Sequence, residues 1–556
     1  MPPLADRTAP WNQQHGQAVL PESRKGNKGT RPGSKYGMRW MLVLCLGAVC
    51  AAQTVPTAQY DNARTGANTH ETILMPRNVN AAHFGKQFVM RVDGDVYAQP
   101  LFVPALAIQG MGVHDVVFVA TEHASVYAFD AAGNPAEPLW QRSFLGAGVE
   151  PMPGNMVSCF FIQPEVGITP TPVIDIAAKT MYVLVRTKEH DLYYQRLHAL
   201  DIATGSLRPG SGTAIRATVK LGSSLLGLVS NDVSFNAVVE NPRAALLYAN
   251  GTVYIAWGSS CDAGNYYGWV MAYDARTLQQ KAVFNAAPVS GKAGIWQSDA
   301  GIAADADGNV YAVTGNGKFT AVQGGKDYGD SVLKLAGGAL QLLDYFTPFD
   351  QERLNREDLD LGSSGPVLLP DQGGAHRHVL VTVGKDGVIY VIDRDRMGKF
   401  HAGSNAHAIQ AFQGIGQGGG GYGAPAYWNG HLFTFGRNDV LKDFAVDNGR
   451  LTEKPAHQGT FKYHPATPVI SANGTKDGIV WVALTKAWNA GETFGILQAY
   501  DAADVSRMLY SSSENGGRDA PGLVTRFAIP TVAGGRVYVG MKKGVWVYGL
   551  LGNRVH

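Results

Sequence analysis

A short strand motif recurs eight times along the sequence and constrains the fold more than any other feature. The copies are Val126–Asp130, Leu197–Asp201, Val270–Asp274, Val332–Leu335, Ile389–Asp393, Asp443–Asp447, Leu497–Asp501 and Val545–Tyr548. Residues alternate within each copy with a period of two, which is typical of a strand that buries one face. Successive copies are roughly 50–70 residues apart, as in propeller repeats with loop insertions. Four short strands per copy predict an all-β fold, an eight-bladed β-propeller of four-stranded blades.

The last copy of the motif lies almost at the end of the sequence, so its blade needs a further strand from elsewhere. An apolar stretch near the other end, Gln87–Arg91, can supply it. We therefore predict that an N-terminal strand closes the ring and that residues 53–556 form a single propeller domain. The 68 glycines, which are spread between short apolar runs, fit a chain with many turns.

The first 52 residues have the composition of a targeting region. Residues 1–37 are polar, basic and rich in Gly and Pro, and a mis-assigned start would explain this extension, with Met38 as the true start. Residues 38–52 are mostly apolar and end in small residues, which predicts a signal peptide too short to span a bilayer as a stable helix. Cleavage near Ala51 or Ala52 gives an exported protein, either periplasmic or secreted.

Charge and hydropathy argue against two classes of partner. The whole sequence has a net charge of +2, but residues 1–52 alone hold seven basic and two acidic residues. The remaining chain is therefore slightly acidic and has no basic patch, which argues against nucleic-acid binding. No later stretch is apolar enough for a membrane helix, so we expect no membrane span once the signal is removed.

Two of the four cysteines, Cys45 and Cys50, lie within the predicted signal peptide. The mature chain keeps Cys159 and Cys261. In an exported protein this pair favours one disulfide, Cys159–Cys261, over the alternative of two free thiols. There is no C-x-x-C-H motif, so no covalently attached haem is expected.

The stretch from Ala293 to Lys318 combines a strand–turn–strand unit with two side chains suited to ligand binding. A D-A-D-G-N turn precedes Val310–Val313, whose residues suit a half-buried strand. Trp296 offers a flat aromatic face, and Asn316 lies between glycines, where the backbone can approach a ligand closely. Each has a simpler interpretation, because Trp296 can pack between blades and Asn316 can hold a left-handed turn.

The longest insertions mostly follow the second strand of a unit or connect adjacent units. They include residues 146–163, 259–267, 317–329, 349–361 and 401–421. In a propeller such positions gather at one mouth of the central channel. Long loops on a rigid scaffold are where binding residues usually lie, so we predict the functional site there.

These motifs together resemble the eight-bladed propellers of the quinoprotein alcohol dehydrogenase-like superfamily, which use pyrroloquinoline quinone (PQQ). The resemblance covers about residues 59–552 and includes Y-D-N-A-R-T-G at 60–66 and A-L-D-I-A-T-G at 199–205. Within this superfamily the chain is most similar to exported bacterial members of no established function. The resemblance implies the propeller fold and an oxidoreductase that acts on an alcohol or a sugar.

The resemblance also implies roles for individual side chains. Trp296 and the T-G-N-G sequence around Asn316 match the tryptophan beneath the quinone and an asparagine that binds Ca²⁺. Asp360, which follows a T-P-x-D loop, matches the catalytic aspartate, a general base for the alcohol proton. Lys385, in K-D-G-V-I-Y-V-I-D-R, matches a basic residue that contacts the cofactor. PQQ and Ca²⁺ are thus the implied cofactors, and Trp296, Asn316 and Lys385 the implied cofactor-binding residues.

Some features depart from the superfamily pattern. The metal-binding glutamate has no direct match, and Asp262 takes its place only if a shift of one residue is allowed, so Asn316 and Asp262 are the implied metal ligands. The adjacent-cysteine disulfide of many of these dehydrogenases is missing. These departures favour an alternative function, a non-catalytic propeller that binds a protein or a glycan at the cell surface or in envelope assembly.

Overall fold

The computed structural model describes residues 53–156, 159, 161–221, 231–297, 300–416, 420–456, 466–485 and 494–552. The predicted extension 1–37 and signal peptide 38–52 lie outside these residues. The described residues form an eight-bladed β-propeller of four-stranded antiparallel blades, as the repeat predicts. Within these ranges, none of the helices is both long and apolar enough to cross a membrane.

Blades 1 to 4 follow one another along the first half of the ring. The strands of blade 1 are Leu101–Ile108, Gly112–Ala120, Ser125–Asp130 and Trp140–Ser143, and those of blade 2 are Val173–Asp175, Thr180–Glu189, Leu192–Asp201 and Thr213–Ala214. The strands of blade 3 are Leu247–Ala249, Thr252–Ser259, Trp269–Asp274 and Gln280–Asn285, and those of blade 4 are Ala303–Ala304, Val310–Val313, Val332–Leu335 and Leu342–Thr347.

Blades 5 to 8 complete the ring. The strands of blade 5 are Val367–Leu368, Val379–Val383, Val388–Asp393 and Gln410–Gln413, and those of blade 6 are Ala426–Trp428, His431–Phe435, Leu441–Asp447 and Arg450–Glu453. The strands of blade 7 are Val469–Asn473, Lys476–Thr485, Gly495–Asp501 and Asp504–Ser511, and those of blade 8 are Thr531–Ala533, Arg536–Met541, Gly544–Leu550 and the N-terminal Phe84–Arg91.

The N-terminal strand Phe84–Arg91 closes the ring, which confirms the prediction made from the sequence. It pairs antiparallel with Gly544–Leu550, so that Phe84 lies opposite Leu550 and Arg91 opposite Gly544. The eight strands of the repeated motif are the third strands of their sheets, and each pairs with a fourth strand, which comes later in the chain in blades 1 to 7 and from the N-terminal part in blade 8. The motif is therefore an interior strand of each blade, and not its edge.

Short elements extend the blades or occupy the insertions. The helices are α1 (Gln351–Glu357), α2 (Gly516–Asp519) and two 3₁₀ turns, Ala321–Gln323 and Leu361–Ser363. The additional strands are Ala67–Asn68 on blade 7, Val149–Pro153 and Glu165–Val166 on blade 2, Glu240–Asn241 on blade 3, Lys399–Phe400 on blade 4, and a separate hairpin of Thr218–Val219 and Val233–Ser234.

The core lies between blades because alternate side chains of a strand face opposite neighbours. In blade 1, Val117 and Val119 pack into a cluster shared with blade 8, whereas Val116 and Phe118 pack towards blade 2. Polar contacts at the periphery supplement these layers. Trp140 on the outer strand of blade 1 donates from Nε1 to the Ile202 carbonyl oxygen of blade 2 at 3.0 Å.

Residues 55–68, which we call the N-terminal segment, follow the inner edge of the ring and hydrogen-bond to every blade. The partners lie in, or next to, the innermost strand of each blade. In order around the ring the bonded pairs are Val55 with Phe102, Pro56 with Ile174, Thr57 with Leu246, Asn62 with Ala304, Ala63 with Leu368, Thr65 with Tyr427, Gly66 with Ile470 and Asn68 with Val532. One short stretch of chain therefore ties all eight blades together.

Arg64 is the buried centre of the N-terminal segment. Its side chain is 0% exposed. Nε donates to the Ile302 carbonyl oxygen at 3.0 Å, Nη2 donates to the Leu246 carbonyl oxygen at 3.2 Å, and Nη1 donates to Thr57 Oγ1 at 2.7 Å and to the Ala58 carbonyl oxygen at 2.8 Å. Burial lowers the pKa of this guanidinium to about 10, so it stays charged at neutral pH.

Candidate functional site

Loops from several blades enclose a cavity at one mouth of the channel. The cavity and the open solvent at its mouth together have a volume of about 920 Å³. Three of the predicted loop insertions, 146–163, 259–267 and 349–361, contribute lining residues. The cavity lining as a whole includes Cys159, Cys261, Asp262, Trp296, Asp360 and Tyr422.

Trp296 lines the cavity, and its indole ring packs against Gly258 and Gly294. Larger residues at these two positions would collide with the ring. A Cβ atom at Gly258 would lie 2.9 Å from Trp296 Cε3, and one at Gly294 would lie 3.2 Å from Cε2. Tyr266 packs edge-on, with ring centroids 5.9 Å apart. The indole is thus held in place while part of it faces the cavity. Its Nε1 is buried and has no hydrogen-bond acceptor among the described residues.

Gly315 brings Trp296 and Asp360 together. A Cβ atom at this position would lie 2.2 Å from Asp360 Oδ1 and 2.8 Å from Trp296 Cδ1, so only glycine fits. The next residue, Asn316, is 5% exposed and donates its backbone N–H to Asp360 Oδ1 at 2.8 Å. The T-G-N-G sequence therefore places an aromatic face and a carboxylate side by side, as its glycines suggest.

The side chain of Asn316 has one satisfied and one unsatisfied end. Its Nδ2 donates to Asp358 Oδ1 at 2.6 Å. Its Oδ1 is buried and has no hydrogen-bond partner among the described residues. A buried amide oxygen without a donor is suited to a hard cation, which prefers oxygen ligands.

Asp360 and Lys385 form the charged part of the site. Lys385 Nζ lies 2.7 Å from Asp358 Oδ2 and 3.5 Å from Asp360 Oδ2. Burial raises the pKa of the Asp360 carboxyl, although Lys385 and the Asn316 N–H act in the opposite direction. Burial works to lower the pKa of Lys385, but Asp360 and Asp358 outweigh it and raise that pKa. Lys385 is therefore charged, and it compensates the buried carboxylate.

Asp262 lies on the same cavity, where its Oδ1 accepts a hydrogen bond from the Tyr266 hydroxyl at 2.6 Å. Its negative charge is close enough to raise the pKa of Asp360. Among the described residues, no group of three Asp, Glu, His or Cys side chains is arranged to hold a metal ion. A cation held by Asn316 Oδ1 and Asp262 would therefore need oxygens of a bound ligand to complete its coordination.

The predicted disulfide between Cys159 and Cys261 is present, with Cα atoms 5.5 Å apart. It connects the loop between blades 1 and 2 to a loop of blade 3, and both cysteines line the cavity. The cross-link thus fixes two loops of the cavity wall to each other.

Two acidic residues of the site were not found from the sequence. Asp358 follows α1 in a left-handed conformation, with φ of 57°, and connects Asn316 to Lys385. Asp330 is fully buried and accepts hydrogen bonds from the Leu361 N–H at 3.1 Å and from Gln351 Nε2 at 3.1 Å. Burial and the charge of Asp360 raise its pKa well above the usual range. The D-L-D sequence at 358–360 was a signal for the first, but nothing marked the second.

Glu240 precedes Asn241, which lines the cavity, and its buried carboxyl group leads us to expect that stability depends on pH. It is 0% exposed, and its Oε1 accepts from Trp269 Nε1 at 3.1 Å. Burial raises its pKa from 4.5 to about 8. Between these values the folded protein holds a proton that the unfolded chain has lost. The contribution of Glu240 to the free energy of unfolding is therefore fully present below pH 4.5 and is lost as the pH rises to about 8. Over this interval the free energy of unfolding falls by up to about 1.4 kcal/mol per pH unit.

We expect Glu240→Gln to flatten this dependence, since glutamine keeps an acceptor for Trp269 and does not titrate. The measurement is the free energy of urea unfolding at pH 6 and pH 8 for both proteins. Stability of the unmodified protein should fall more steeply over this interval. Parallel profiles would show that Glu240 does not hold the proton.

The solved structures to which this chain is similar in fold include two dehydrogenases. A quinohemoprotein alcohol dehydrogenase from Pseudomonas putida HK5 aligns over 90% of this chain and 80% of its own, with a TM-score of 0.58 and 15% identity. A europium-containing methanol dehydrogenase aligns over 90% of this chain and 98% of its own, with a TM-score of 0.56 and 13% identity. No family model matches the sequence, and no curated protein matches it.

At these identities the similarity concerns the fold and not the activity. The number of blades and the ring closure are observed directly in this chain. The chain is therefore an eight-bladed β-propeller whose structural neighbours include quinohemoprotein alcohol dehydrogenase and methanol dehydrogenase.

Proposed function

We propose that the protein is an exported dehydrogenase that oxidises an alcohol or a sugar with bound PQQ and Ca²⁺. The observation that carries the proposal is the meeting of Trp296, Asn316 and Lys385 around Asp360, although the four residues lie up to 89 residues apart in order along blades 3 to 5. Trp296 and Asp360 line the cavity, and Asn316 and Lys385 contact Asp360. The two structural neighbours are named as dehydrogenases of alcohols, which fits this arrangement.

Each of these side chains would have a separate role. Trp296 presents a held aromatic face on which a planar ring can stack. Asn316 Oδ1 and Asp262 would hold the cation, and Lys385 would add a fixed positive charge beside the cofactor. When bound, the quinone supplies the two-electron oxidant and the cation stabilises developing negative charge.

Asp360 would be the base. Its Oδ1 accepts from the Asn316 N–H, which leaves Oδ2 to accept the proton of a substrate hydroxyl. Lys385, 3.5 Å from Oδ2, stabilises the ionised form that this role requires. Asp360 is 8% exposed, and Tyr422 and Trp296 line the same cavity.

Export is supported by the disulfide. Disulfides persist in oxidising compartments and are rare in the cytosol. The Cys159–Cys261 bond is thus consistent with the predicted signal peptide and with a periplasmic or secreted protein.

Replacement of Asn316 by Ala tests the proposal through binding. It removes a buried amide oxygen beside Asp360 that lacks a donor within the described chain, so we expect affinity for PQQ in the presence of Ca²⁺ to fall at least about tenfold. The measurement is titration of the purified protein with PQQ, followed by quinone absorbance and by quenching of tryptophan fluorescence.

The matched control is Gln323→Ala, which removes an exposed amide from an insertion of the same blade. This variant should bind PQQ like the unmodified protein. Absence of PQQ binding by the unmodified protein, at saturating PQQ and Ca²⁺, would reject the proposed function.

A non-catalytic propeller that binds a protein or a glycan is the second candidate. It is favoured because two of the proposed cofactor-binding side chains already have partners within the chain. Lys385 pairs with Asp358, and Asp262 accepts a hydrogen bond from the Tyr266 hydroxyl. It predicts retention of a protein or glycan partner at the cavity mouth without any quinone. A blank pull-down and a blank glycan screen would count against it.

A further inference from the structure

Tyr266 connects the aromatic face of the proposed site to one of its cation ligands, and the roles described above do not use it. It lies in the insertion 259–267, between the second and third strands of blade 3, and it is 2% exposed. Its hydroxyl donates to Asp262 Oδ1 at 2.6 Å, and its ring packs edge-on against Trp296 with centroids 5.9 Å apart. One buried side chain therefore contacts both an implied ligand of the cation and the indole on which the quinone would stack.

The backbone of Tyr266 is fixed to the connection that leads to Trp296. Its carbonyl oxygen accepts from the Lys292 N–H at 2.8 Å, and the Gly268 N–H donates to the Lys292 carbonyl oxygen at 2.9 Å. The ring of Tyr266 packs on Gly294, since a Cβ atom there would lie 3.1 Å from Tyr266 Cε2. The phenol is thus a rigid partner, because its main chain and its ring are both held in place.

Asp262 depends on a rigid partner, because it is exposed on a turn. It follows Cys261, and both residues adopt left-handed backbone conformations, with φ of 57° for Cys261 and 55° for Asp262. The disulfide to Cys159 anchors the backbone of this turn next to Asp262, but not the aspartate side chain. An exposed side chain changes rotamer freely unless a partner holds it. The bond from Tyr266 holds the carboxylate through Oδ1 and leaves Oδ2 for a cation.

The charges that act on the Tyr266 hydroxyl indicate that it faces the site. Burial raises its pKa far above the usual range, and the negative charges of Asp262, Asp360 and Asp358 raise that pKa further. The hydroxyl therefore stays protonated and remains a donor. Asp358 and Asp360 both contact Asn316, the other implied ligand of the cation. Tyr266 thus lies within electrostatic range of the carboxylates on both sides of the proposed cation position.

We propose that Tyr266 is a positioning residue whose hydroxyl aims the Asp262 carboxylate at the cation and keeps it in register with Trp296. The inference rests on the proposed function and adds to it a residue that acts on the cation only through Asp262. Replacing the partner that orients a metal ligand typically changes metal affinity by about 10–100-fold. Loss of the hydroxyl should therefore weaken binding of the cation while the indole stays in place.

The test uses the purified full-length protein and Tb³⁺ alone, a hard cation that takes oxygen ligands and whose luminescence is sensitised by a nearby tryptophan. Signal from the site is the part that is lost in Trp296→Phe. Tyr266→Phe removes the hydroxyl and keeps the ring against Trp296, so we expect affinity for Tb³⁺ to fall by about 10–100-fold without a shift in tryptophan emission. The matched control is Tyr267→Phe, which removes the hydroxyl of the next residue, whose ring packs on Trp269. This variant should bind Tb³⁺ like the unmodified protein.

A double-mutant cycle separates positioning from a purely structural role, and urea midpoints establish that all variants are folded. In an Asp262→Ala background, Tyr266→Phe should change Tb³⁺ affinity by less than about twofold, because the carboxylate that the hydroxyl aims is already absent. Equal effects of Tyr266→Phe in both backgrounds would overturn the inference. Unchanged affinity in the single variant, or no Trp296-dependent Tb³⁺ signal from the unmodified protein, would also overturn it. Failure of PQQ to bind rejects the dehydrogenase alone, since the cycle is measured without quinone.

Discussion

Replacing Arg64 by Met should lower the free energy of unfolding by about 2–5 kcal/mol, because at least two buried carbonyl oxygens lose their donor. The substitution keeps an unbranched side chain of similar length but removes every donor. It removes the donors that Arg64 supplies to the carbonyl oxygens of Ile302 and Ala58, and leaves the Leu246 carbonyl oxygen with only the Thr57 hydroxyl at 3.3 Å, in a site that water does not reach. An unsatisfied buried polar group is destabilising by about 1–3 kcal/mol.

The measurement is equilibrium unfolding in urea at pH 7. Arg276→Met is the matched control, because Arg276 is exposed on a turn and its replacement should change stability by less than about 0.5 kcal/mol. The stability of the Arg64→Lys protein should lie between those of the Arg64→Met and Arg276→Met proteins. Lysine keeps the charge, but its single ammonium group cannot reach all the acceptors of the guanidinium group. Similar stabilities for the Arg64→Met and Arg276→Met proteins would show that the N-terminal segment does not hold the ring through this residue.

Replacing Asp360 by Asn should reduce alcohol oxidation by the PQQ-loaded protein by about 10²–10⁴-fold. Asparagine keeps the size of the side chain and an oxygen for the Asn316 N–H, so the loop should stay in place. It cannot take up the proton of the substrate hydroxyl. The measurement is the rate of dye reduction, with PQQ affinity determined on the same samples.

PQQ affinity should change little in the Asp360→Asn protein, because the stacking face of Trp296 and the Asn316 oxygen are untouched. Asp350→Asn is the control, since Asp350 pairs with Arg353 at the start of α1, in the loop that leads to Asp360. That protein should retain its rate. If Asp360→Asn were as active as Asp350→Asn, another group would have to be the base.

Much of this fold could be predicted because each copy of the repeat carries the sequence pattern of its own strand. Val126–Asp130 and its seven counterparts each carry the alternation that a strand needs, and the regular spacing gives the number of blades. The ring closure followed from simple counting, since the last repeat lacked a fourth strand. The Cys159–Cys261 bond followed from having two cysteines and a predicted signal peptide.

The site could be predicted only in part, because its residues meet through the ring and not along the chain. Trp296 and Asn316 were visible since glycines around them marked a close approach. Asp330 was not visible, because an acidic residue after a glycine also fits an ordinary turn, and its burial depends on Gln351 in the short helix α1. Three arginines of the cavity lining, Arg186, Arg243 and Arg526, were missed for the same reason. Arg186 lies inside a strand, and only the packing of blades 2, 3 and 8 brings it near Arg243 and Arg526.

The joining of Phe84–Arg91 to the last blade has a consequence for the order of folding. The hydrogen bond from Gln87 to Leu550 spans 463 residues, so this seam forms only after nearly all of the chain has been synthesised. Contacts of such long range slow folding and leave intermediates with an open edge that can associate with other chains. We infer that the half-built ring is the aggregation-prone species of this protein, and that a helper able to shield a free sheet edge would raise its yield.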